Sequence, residues 1–453
     1  MNQKKIRIGI AGAGFAATFH FDSYLQLSGI GAEVVGVYSK TSESRKSFAG
    51  KRSITAFKSY DEMLQAVDVV DLCVPGALHE PLCVRAAEMG RHVIVEKPFT
   101  GAYGPGTDDW RGNMADKKIL LKQALKSVQR MSDAAIKAKI KIMYAENWVY
   151  APTVQKEVDI LRATKGQILW IHGEESHSGS TSAVYGDWRF SGGGSLVGKG
   201  CHPLTAALYL KQVDGITRLG HPIRPKTVSC RTHEITRNPH FVSAGHLRTD
   251  YKDIEDFVQV HIVFEDGMIA DVFSCELVMG GVHNWLEIYG NNHRMRCNIN
   301  PIDANMLYNP VEKQLANVYL NEKLGTKQGW SFPAPDENWM SGYQQELKDF
   351  IECLIEDREP QSNLDLAADT VCVLYAAYVS AQDGGRETEI PLVKLPAVPT
   401  RKGRDGASLR NPAKPGTPFL PVASLPARGG ATGLRLLRRS KTLGYEGWTG
   451  EEG

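Results

Sequence analysis

Short apolar runs alternate with helical patterns over the first third of the chain. Uninterrupted runs of this kind are typical of strands that are buried on both faces of a parallel sheet. Five of them are Ile6–Ala11, Val34–Tyr38, Val69–Val74, His92–Val95 and Lys141–Ala145. Between the last two, an aperiodic stretch over residues 100–116 predicts a loop, and apolar residues at helical spacing over residues 118–139 predict a helix. The alternation predicts an α/β fold whose first domain, residues 1–146, is a Rossmann-type, doubly wound parallel sheet.

The pattern changes after residue 146. A helical pattern over Thr153–Thr164 leads into a strand-like run and then a polar loop, Glu174–Gly186. From residue 226 to residue 300, short β-rich runs follow one another without evident crossover helices, which predicts a large, mostly antiparallel sheet. Two helical patterns follow, Trp339–Ile355 and Leu366–Ala381. Residues 147–396 are therefore predicted to form a second domain, also of α/β type.

The composition shifts once more at the end of the chain. Residues 397–453 are rich in Gly, Pro, Arg and Ser, and from Thr400 onwards they carry ten Lys and Arg against four Asp and Glu. This composition predicts a mobile basic tail, which either has no partner, binds an anionic one or docks on a neighbouring subunit. The whole chain of 453 residues has a formal charge of only +2, so we expect neither nucleic acid nor a membrane as a partner.

Several features predict a cytoplasmic protein. The first residues run directly into the first strand, which is unlike a signal peptide. We identify no apolar run of the roughly 18 residues that a membrane span needs. The eight cysteines are scattered without a C-x-x-C pair, as expected for reduced and buried thiols.

A glycine motif follows the first strand directly. Gly12-Ala13-Gly14-Phe15-Ala16-Ala17 is a G-x-G-x-x-A turn, and a helical pattern and a second strand come after it. In dinucleotide-binding units this turn exposes bare backbone N–H groups to a pyrophosphate, which a side chain at either glycine would block. We therefore expect Gly12, Gly14, Phe15 and Ala16 to contact a nicotinamide or flavin nucleotide.

The second strand carries information about the ribose. NAD-specific sites place an acidic residue at the end of this strand, where it binds the ribose hydroxyls. Here the strand ends in Ser39-Lys40, and a hydroxyl and an ammonium suit a 2′-phosphate better than a diol. The sequence therefore predicts NADP or NAD as the cofactor, with NADP slightly preferred.

Residues that follow strands should rim one cleft, because ligands of such sheets bind at the carboxyl ends of the strands. Pro75, His79, Glu96 and Lys97 all occupy such positions. We expect them to lie around the bound cofactor.

Four segments, in order, resemble the motifs of the Gfo/Idh/MocA oxidoreductases, the family of glucose–fructose oxidoreductase and inositol dehydrogenase. They are Gly9–His20, Leu72–His79, Gly90–Pro98 with its Glu96-Lys97-Pro98 signature, and Trp188–His202 with its glycine cluster. The resemblance implies NAD or NADP chemistry on a sugar, cyclitol or related polyol. It also implies a homodimer or homotetramer built through the C-terminal sheet, and it places Trp188 and Arg189 at the cofactor.

Lys97 and His202 are the candidate catalytic residues. An ammonium next to a substrate hydroxyl can stabilise a developing alkoxide, and it can also exchange the proton if its pKa is lowered. Imidazole can take the hydroxyl proton while hydride leaves the same carbon. The chain departs from the family at the acidic positions, where it has Gly198 and Thr205. The usual carboxylate partner of His202 is thus missing, and the loop Glu174–His177 is a candidate substitute.

The remaining predicted substrate contacts are Asn147, Tyr150, Glu175, His177 and Lys199, in addition to Lys97 and His202. Lys199 points either into the pocket or to water, and Trp148 is either a contact or a core residue. The cysteines and histidines lack recognisable ligand spacing, so no metal site is predicted.

Three functions remain open at this point. The first is hydride transfer between the nicotinamide and a secondary alcohol or ketone of a sugar, cyclitol or glycoside. The second is glycoside cleavage or elimination, assisted by transient oxidation with a retained cofactor, which the altered Gly198 position makes worth testing. The third is a nucleotide-binding regulator without catalysis, against which Lys97 and His202 argue.

Overall fold

The computed structural model describes residues 5–182, 184–300 and 304–395, so the predicted tail lies outside the described residues. The first sheet has six parallel strands, β1 (Ile6–Ala11), β2 (Ala32–Tyr38), β3 (Thr55–Ala56), β4 (Val69–Leu72), β5 (His92–Glu96) and β6 (Ile142–Ala145). Their order is β3-β2-β1-β4-β5-β6. The order reverses between β1 and β4, which is where ligands of doubly wound sheets bind. The predicted parallel sheet is confirmed.

Five helices accompany this sheet: α1 (Phe15–Leu25), α2 (Ser42–Arg52), α3 (Tyr60–Ala66), α4 (His79–Glu88) and α5 (Lys117–Ala138). The apolar periodicity predicted α5, whose buried residues lie three and four positions apart. The sequence pattern did not predict α2, because this helix buries only Phe48 and Ala49 among charged and small residues and so has no apolar periodicity. The loop predicted over residues 100–116 contains neither a helix nor a strand.

The second sheet has seven strands, β7 (Ile168–Ser176), β8 (Pro225–His233), β9 (Phe257–Phe264), β10 (Ile269–Cys275), β11 (His283–Gly290), β12 (Arg294–Asn298) and β15 (Thr388–Glu389). Their order is β12-β11-β7-β10-β9-β8-β15. Strands β7 and β10 pair in parallel, and the other neighbours are antiparallel. The predicted mostly antiparallel sheet is confirmed.

The helices of this half are α6 (Asn147–Tyr150), α7 (Pro152–Thr164), α8 (Trp188–Ser191), α9 (Cys201–Leu219), α10 (Glu337–Met340), α11 (Tyr343–Glu356) and α12 (Leu364–Gln382). Helices α9 and α12 pack against the second sheet. By length and composition α12 would be able to cross a membrane, contrary to the sequence expectation. However, 89% of its most apolar 18-residue stretch is buried inside the protein. Its apolar character therefore reflects its place in the core.

Two local expectations are wrong. Glu174, Glu175 and Ser176 are the last residues of β7, where they pair with both β10 and β11, rather than part of a loop. The helix expected over residues 339–355 is broken at Gly342, which has φ 94° and a left-handed backbone. A Cβ at Gly342 would lie 2.3 Å from the carbonyl oxygen of Asn147, so only glycine allows the chain to turn this close.

Residues 304–340, between β12 and α11, form an irregular segment that we call the cap segment. It contains a small hairpin of β13 (Leu307–Asn309) and β14 (Gly329–Ser331), and it ends in α10. The Lys327 ammonium fastens it by donating to the carbonyl oxygens of Leu315 at 2.9 Å and Val318 at 2.7 Å. These bonds give the segment a defined course without a long helix or strand.

Candidate active site

A cavity of about 570 Å³ lies at the carboxyl ends of the first sheet's strands. Residues that follow β1, β4, β5 and β6 line one side, and residues of β7, α9 and the cap segment line the other. The structure brings together most of the predicted site residues here: Gly14, Phe15, Ala16, Pro75, Glu96, Lys97, Asn147, Glu175, His177, Lys199 and His202.

The two motif glycines have different tasks. Gly12 has φ 116°, and a Cβ there would lie 2.0 Å from the carbonyl oxygen of Cys73, so this glycine lets β1 and the end of β4 pack closely. A Cβ at Gly14 would meet nothing within 4 Å. Gly14 is also the N-cap of α1, whose first N–H groups have no side-chain cap. The open turn and the free helix N-terminus fit a nucleotide pyrophosphate.

His202 has a carboxylate partner that the sequence did not reveal. Its Nδ1 lies 2.5 Å from Oε1 of Glu146, the residue directly after β6, and both side chains are buried. The indole of Trp148 stacks on the imidazole, with ring centroids 5.9 Å apart and an interplanar angle of 15°. Glu146 therefore holds the imidazole by its Nδ1 and leaves Nε2 for the cavity.

The pKa of His202 follows from this arrangement. Burial alone would lower the pKa, but the carboxylates of Glu146 and Glu175 outweigh burial and raise it above the ordinary histidine value. Glu175 Oε2 lies 3.9 Å from His202 Nε2. The histidine is thus a base whose protonated form the protein stabilises.

Lys97 reaches across the cavity to the segment before α9. Its ammonium donates to the carbonyl oxygen of Gly198 at 2.8 Å. Residues Leu196–Gly200 form a π-helical turn, in which a carbonyl oxygen accepts from the N–H five residues later. For Gly198 that residue is Pro203, which has no N–H, so the carbonyl oxygen is left for Lys97. Burial acts to lower the pKa of Lys97, but Cys201 and the surrounding carboxylates raise it overall. Lys97 is therefore a permanent cation near neutral pH, and the proton-exchange role suggested by a lowered pKa does not apply.

The space beside Gly198, where the resemblance to the family implies an acidic residue, is occupied. A Cβ at this position would lie 2.6 Å from the ring of Tyr185 and 2.7 Å from its hydroxyl oxygen. The hydroxyl of Tyr185 donates to Oε1 of Glu276 at 2.5 Å, which fixes the ring. The carboxylate that the resemblance implies on this turn would therefore require the Tyr185 ring to move.

Lys199 points into the protein and lines the cavity. Its ammonium forms an ion pair with Glu276, which is fully buried directly after β10 and also accepts from Tyr251 at 3.3 Å. His177 lies beside this group, with Nδ1 4.0 Å from Glu276 Oε2. Burial and the lysines Lys199, Lys323 and Lys97 lower the pKa of His177, so it is neutral.

Glu96 holds the backbone of Lys97 rather than its ammonium. Its Oε2 accepts the N–H of Lys97 at 2.9 Å, and its Oε1 lies 3.0 Å from Nε2 of His20. Nδ1 of His20 in turn lies 2.8 Å from Oδ2 of Asp71, on β4. This buried chain of contacts connects the ends of β4 and β5 with α1, and thereby fixes the backbone position from which the Lys97 side chain extends.

Besides Gly12, Ser39 and Lys40, four predicted contacts do not line the cavity. The ring nitrogens of His79 face the carbonyl oxygens of Pro98 and Val74, each at 2.9 Å, so this histidine joins the loops after β4 and β5. Tyr150 donates to Asp349 at 2.8 Å in the core.

The other two, Trp188 and Arg189, belong to α8. The indole Nε1 of Trp188 donates to the carbonyl oxygen of Ala102 at 3.0 Å, and the side chain is 1% exposed. The guanidinium of Arg189 forms ion pairs with Asp187 and Asp108. The neighbouring Phe190 and Ser191 line the cavity instead.

The end of β2 lies outside this cavity, on the side of the glycine turn where β2 neighbours β1. Ser39 and Ser44 share a short hydroxyl contact, and Nη1 of Arg45 donates to the carbonyl oxygen of Ser39 at 3.2 Å. Together with Lys40, this strand end therefore presents two cations and two hydroxyls.

The structure also adds residues that sequence reasoning missed: Phe19, Tyr185, Asn284, Asn300, Glu322, Lys323, Asn338 and Tyr343 line the cavity, and Glu146 and Glu276 support it. Glu146 directly follows β6 and Glu96 ends the neighbouring β5, and these similar positions were the available signal. The cap residues carry no such signal, because their segment has no periodic pattern.

Two groups of potential metal ligands occur among the residues that the structure describes. They are His20, Asp71 and Cys73, and Glu146, Cys201 and His202, with ligand atoms within 4.8 Å of one another. In each group the histidine already contacts the carboxylate directly. The sequence prediction of no metal remains a prediction.

A dinucleotide-binding sheet whose open glycine turn, lysine and carboxylate-backed histidine share one cavity defines a nucleotide-dependent dehydrogenase. Two family models match the chain, "Oxidoreductase family, NAD-binding Rossmann fold" over residues 6–107 and "GFO/IDH/MocA C-terminal domain" over residues 162–296. The chain belongs to the Gfo/Idh/MocA family of oxidoreductases, as its motifs predicted.

Two of the named relatives are dehydrogenases of sugars. Glucose-6-phosphate 3-dehydrogenase of Bacillus subtilis is 25% identical over 349 residues, which cover 75% of this chain and 89% of that enzyme. UDP-N-acetylglucosamine 3-dehydrogenase of Acidithiobacillus ferrooxidans is 32% identical over 95 residues, 21% of this chain and 29% of that enzyme. The latter match therefore spans less than a third of the relative.

Solved structures share the fold. GenD2 from gentamicin A biosynthesis, in complex with NAD, superposes with a TM-score of 0.69 at 22% identity, covering 85% of this chain and 96% of that one. The WlbA dehydrogenase of Bordetella pertussis, in complex with NADH and UDP-GlcNAcA, gives 0.60 at 18% identity, covering 86% and 100%.

Proposed function

We propose that this protein transfers hydride between a nicotinamide nucleotide and a secondary alcohol carbon of a sugar or related polyol. The observation that carries the proposal is the meeting of Lys97 and the Glu146–His202 pair in the cavity beside the open glycine turn. The nucleotide, when bound at that turn, would supply the hydride acceptor.

The residues divide the proton chemistry between them. Nε2 of His202 takes the hydroxyl proton, and Glu146 stabilises the imidazolium that results. The Lys97 ammonium, held by the Gly198 carbonyl, stabilises negative charge on the same oxygen as the carbonyl forms. Trp148 and the buried walls limit water around both groups. In the reverse direction His202 returns the proton to the oxygen.

The names of the relatives point to a position on the substrate. Three of them specify carbon 3 of a hexose: the two 3-dehydrogenases and dTDP-3,4-didehydro-2,6-dideoxy-alpha-D-glucose 3-reductase of Streptomyces violaceoruber. We therefore propose oxidation or reduction at carbon 3 of a hexopyranose ring.

A spectrophotometric screen tests the function. Purified protein is mixed with NAD or NADP and a panel of hexoses, hexosides, nucleotide sugars and cyclitols, and reduction of the cofactor is followed. We expect turnover with a hexose derivative and a 3-keto product by NMR. Tight cofactor binding without hydride transfer to any panel member would favour the regulator hypothesis and overturn the proposal.

For the cofactor, we propose a preference for NADP. The end of β2 has no carboxylate for a ribose diol, and Ser39, Lys40 and Arg45 offer donors to a 2′-phosphate. Calorimetry with both nucleotides tests this, and Lys40→Ala with Arg45→Ala should reduce the affinity for NADP more than that for NAD. Tighter binding of NAD by the unmodified protein would refute it, and NAD is the nucleotide in the solved relatives above.

A second candidate is glycoside cleavage with a retained cofactor, and Glu175 favours it. Its Oε2 is buried in the cavity without a partner, and burial raises the pKa of this carboxyl. Oxidation of a ring hydroxyl acidifies the neighbouring C–H. A basic side chain of the cavity then removes that proton while Glu175 protonates the departing glycosidic oxygen. Addition of water to the resulting double bond and return of the hydride from the cofactor complete the cycle. Release of the alcohol from a glycoside without net cofactor reduction would identify this reaction.

We also propose a homodimer or homotetramer formed through the second sheet. The face opposite α9 and α12 carries half-buried aromatic residues, with Trp170 and Tyr289 stacked at 4.6 Å and His172 and Trp285 in contact at 4.8 Å. Sedimentation of Phe273→Glu, on the same face, should show dissociation, and a monomeric unmodified protein would contradict the proposal.

Eight free cysteines support the proposed cytoplasmic location.

A further inference from the structure

The cavity wall contains buried oxygen acceptors without hydrogen-bond partners. They are Oε2 of Glu175 and Oδ1 of Asn284, Asn300 and Asn338. Among the described residues, no buried nitrogen or hydroxyl of this wall is in the same condition. Because leaving a buried acceptor without a partner is unfavourable, such an excess of acceptors indicates a ligand that brings several donors.

The orientation of Asn300 is fixed by its neighbour. Its Nδ2 donates to Oε1 of Glu337 at 2.6 Å, so its Oδ1 must face the other way, and the residue is 7% exposed. Glu175, at 8% exposure, is buried to a similar degree. Two acceptors that are more than nine-tenths buried therefore belong to this wall.

Negative charge accumulates around these acceptors. Glu322 and Glu337 of the cap segment line the same cavity as Glu175. Burial raises the pKa of Glu322, and the charges of Glu337 and Glu175 raise it further, although Lys323 opposes them. Lys323 lies 3.7 Å from Glu322, and no cation of the described chain pairs with Glu337. A ligand cation would relieve this repulsion.

The lysines of the cavity are already committed. The Lys97 ammonium is bonded to the Gly198 carbonyl, Lys199 to Glu276, and Lys323 faces Glu322. An anionic substituent would also meet the carboxylates of Glu175, Glu322 and Glu337, which line the same cavity. An ammonium group instead offers three donors and one positive charge, which match both the free acceptors and the excess of carboxylates.

We propose that the substrate is an amino sugar, whose protonated amine binds between Glu175 and Asn300 on one side and the cap carboxylates Glu322 and Glu337 on the other. This inference rests on the proposed function, since it identifies the substrate class of the same site. A bound divalent cation would satisfy the same oxygen atoms, so the experiment must distinguish the two sources.

The test uses pairs of hexopyranosides that differ only in a hydroxyl, an amine or an acetamide at carbon 2, 4 or 6. For at least one position, we expect kcat/KM to favour the amine by about tenfold or more, since a charged hydrogen bond contributes about 1.5–3 kcal/mol. The preference should decline as pH rises and the amine loses its proton. In Glu322→Gln and Glu337→Gln the ratio of amine to hydroxyl should fall towards one.

Glu312→Gln is the matched control. Glu312 is an exposed carboxylate of the same cap segment that contacts Thr326 and Lys327 rather than the cavity. This variant should keep the full preference for the amine.

Each outcome decides the matter. Equal turnover of amine and hydroxyl substrates would overturn this inference and leave the proposed function standing. Activation of neutral sugars by Ca²⁺ or Mg²⁺, lost in Glu337→Gln, would assign the site to a metal and overturn it too. Absence of hydride transfer with every pair would overturn both proposals.

Discussion

Glu146→Gln is the most direct test of the active-site geometry. The change removes the charge from Oε1, which lies 2.5 Å from Nδ1 of His202, and keeps a side chain of the same shape. A hydrogen bond to a charged group contributes about 1.5–3 kcal/mol, and each 1.4 kcal/mol is a factor of about ten in rate. We therefore expect kcat to fall by about 10- to 150-fold, because the imidazolium loses its counter-charge as it forms.

The pH profile adds an independent readout. His202 must be neutral to accept a proton, so the rate of alcohol oxidation rises with pH through the pKa of His202 in the working complex. Glu146 and Glu175 raise that pKa against the effect of burial. Removing the charge of Glu146 should lower the pKa of His202. The acid limb of the kcat profile should thus move to lower pH even as the plateau falls.

Glu157→Gln is the control for a general loss of stability. Glu157 is a fully buried carboxylate whose Oε1 lies 2.8 Å from Nε2 of His293, outside the cavity. Kinetics for both variants are measured over pH 5–10, with thermal unfolding as a check on folding. If Glu146→Gln kept kcat within twofold and left the acid limb unmoved, Glu146 would not be the partner of the catalytic base.

Four further substitutions separate chemistry, space and cofactor binding. Lys97→Met should lower kcat by about 10²-fold or more while the protein stays folded, because a donor to the developing alkoxide is lost; unchanged turnover would contradict its role. Gly198→Ala should destabilise the protein by about 1–3 kcal/mol, since its Cβ would lie 2.6 Å from Tyr185, and unaltered denaturant unfolding would show that the ring moves aside. Gly14→Val should weaken nucleotide binding in calorimetry with little effect on unfolding, whereas Gly12→Ala should lower stability, because its Cβ would lie 2.0 Å from a backbone carbonyl oxygen. The reverse pattern for the two glycines would refute their assigned tasks.

The fold was predictable because its signals are periodic. Buried parallel strands and an amphipathic α5 repeat their character over many residues, and Glu96-Lys97-Pro98 lies next to one of these strands. The partner of His202 was not predictable in this way. Glu146 lies 56 positions before His202, and a single carboxylate after a strand has many possible fates. Glu175 was expected to replace the missing carboxylate partner of His202. Its Oε2 instead lies 3.9 Å from Nε2 of His202, the ring nitrogen that faces the cavity.

The cap acceptors escaped prediction for a different reason. Glu322 and Asn338 are polar residues in an aperiodic stretch, a pattern that is also typical of solvent-facing loops. Only the course of the chain, fastened by Lys327, turns them towards the cavity. Long-range contacts of this kind are determined by tertiary packing rather than by local periodicity.

The surroundings of Gly198 and His202 explain where the carboxylate partner of the histidine comes from. Tyr185, bonded to Glu276, fills the space beside Gly198, so an acidic side chain on that turn is excluded. The Gly198 carbonyl remains and holds the Lys97 ammonium. Glu146 then supports His202 from the end of β6, a strand of the nucleotide-binding sheet. His202 and Glu146 come from opposite sides of the cavity, so the pKa of His202 depends on how the two sheets meet. A substitution that shifts this junction should therefore alter the pH profile before it alters cofactor binding.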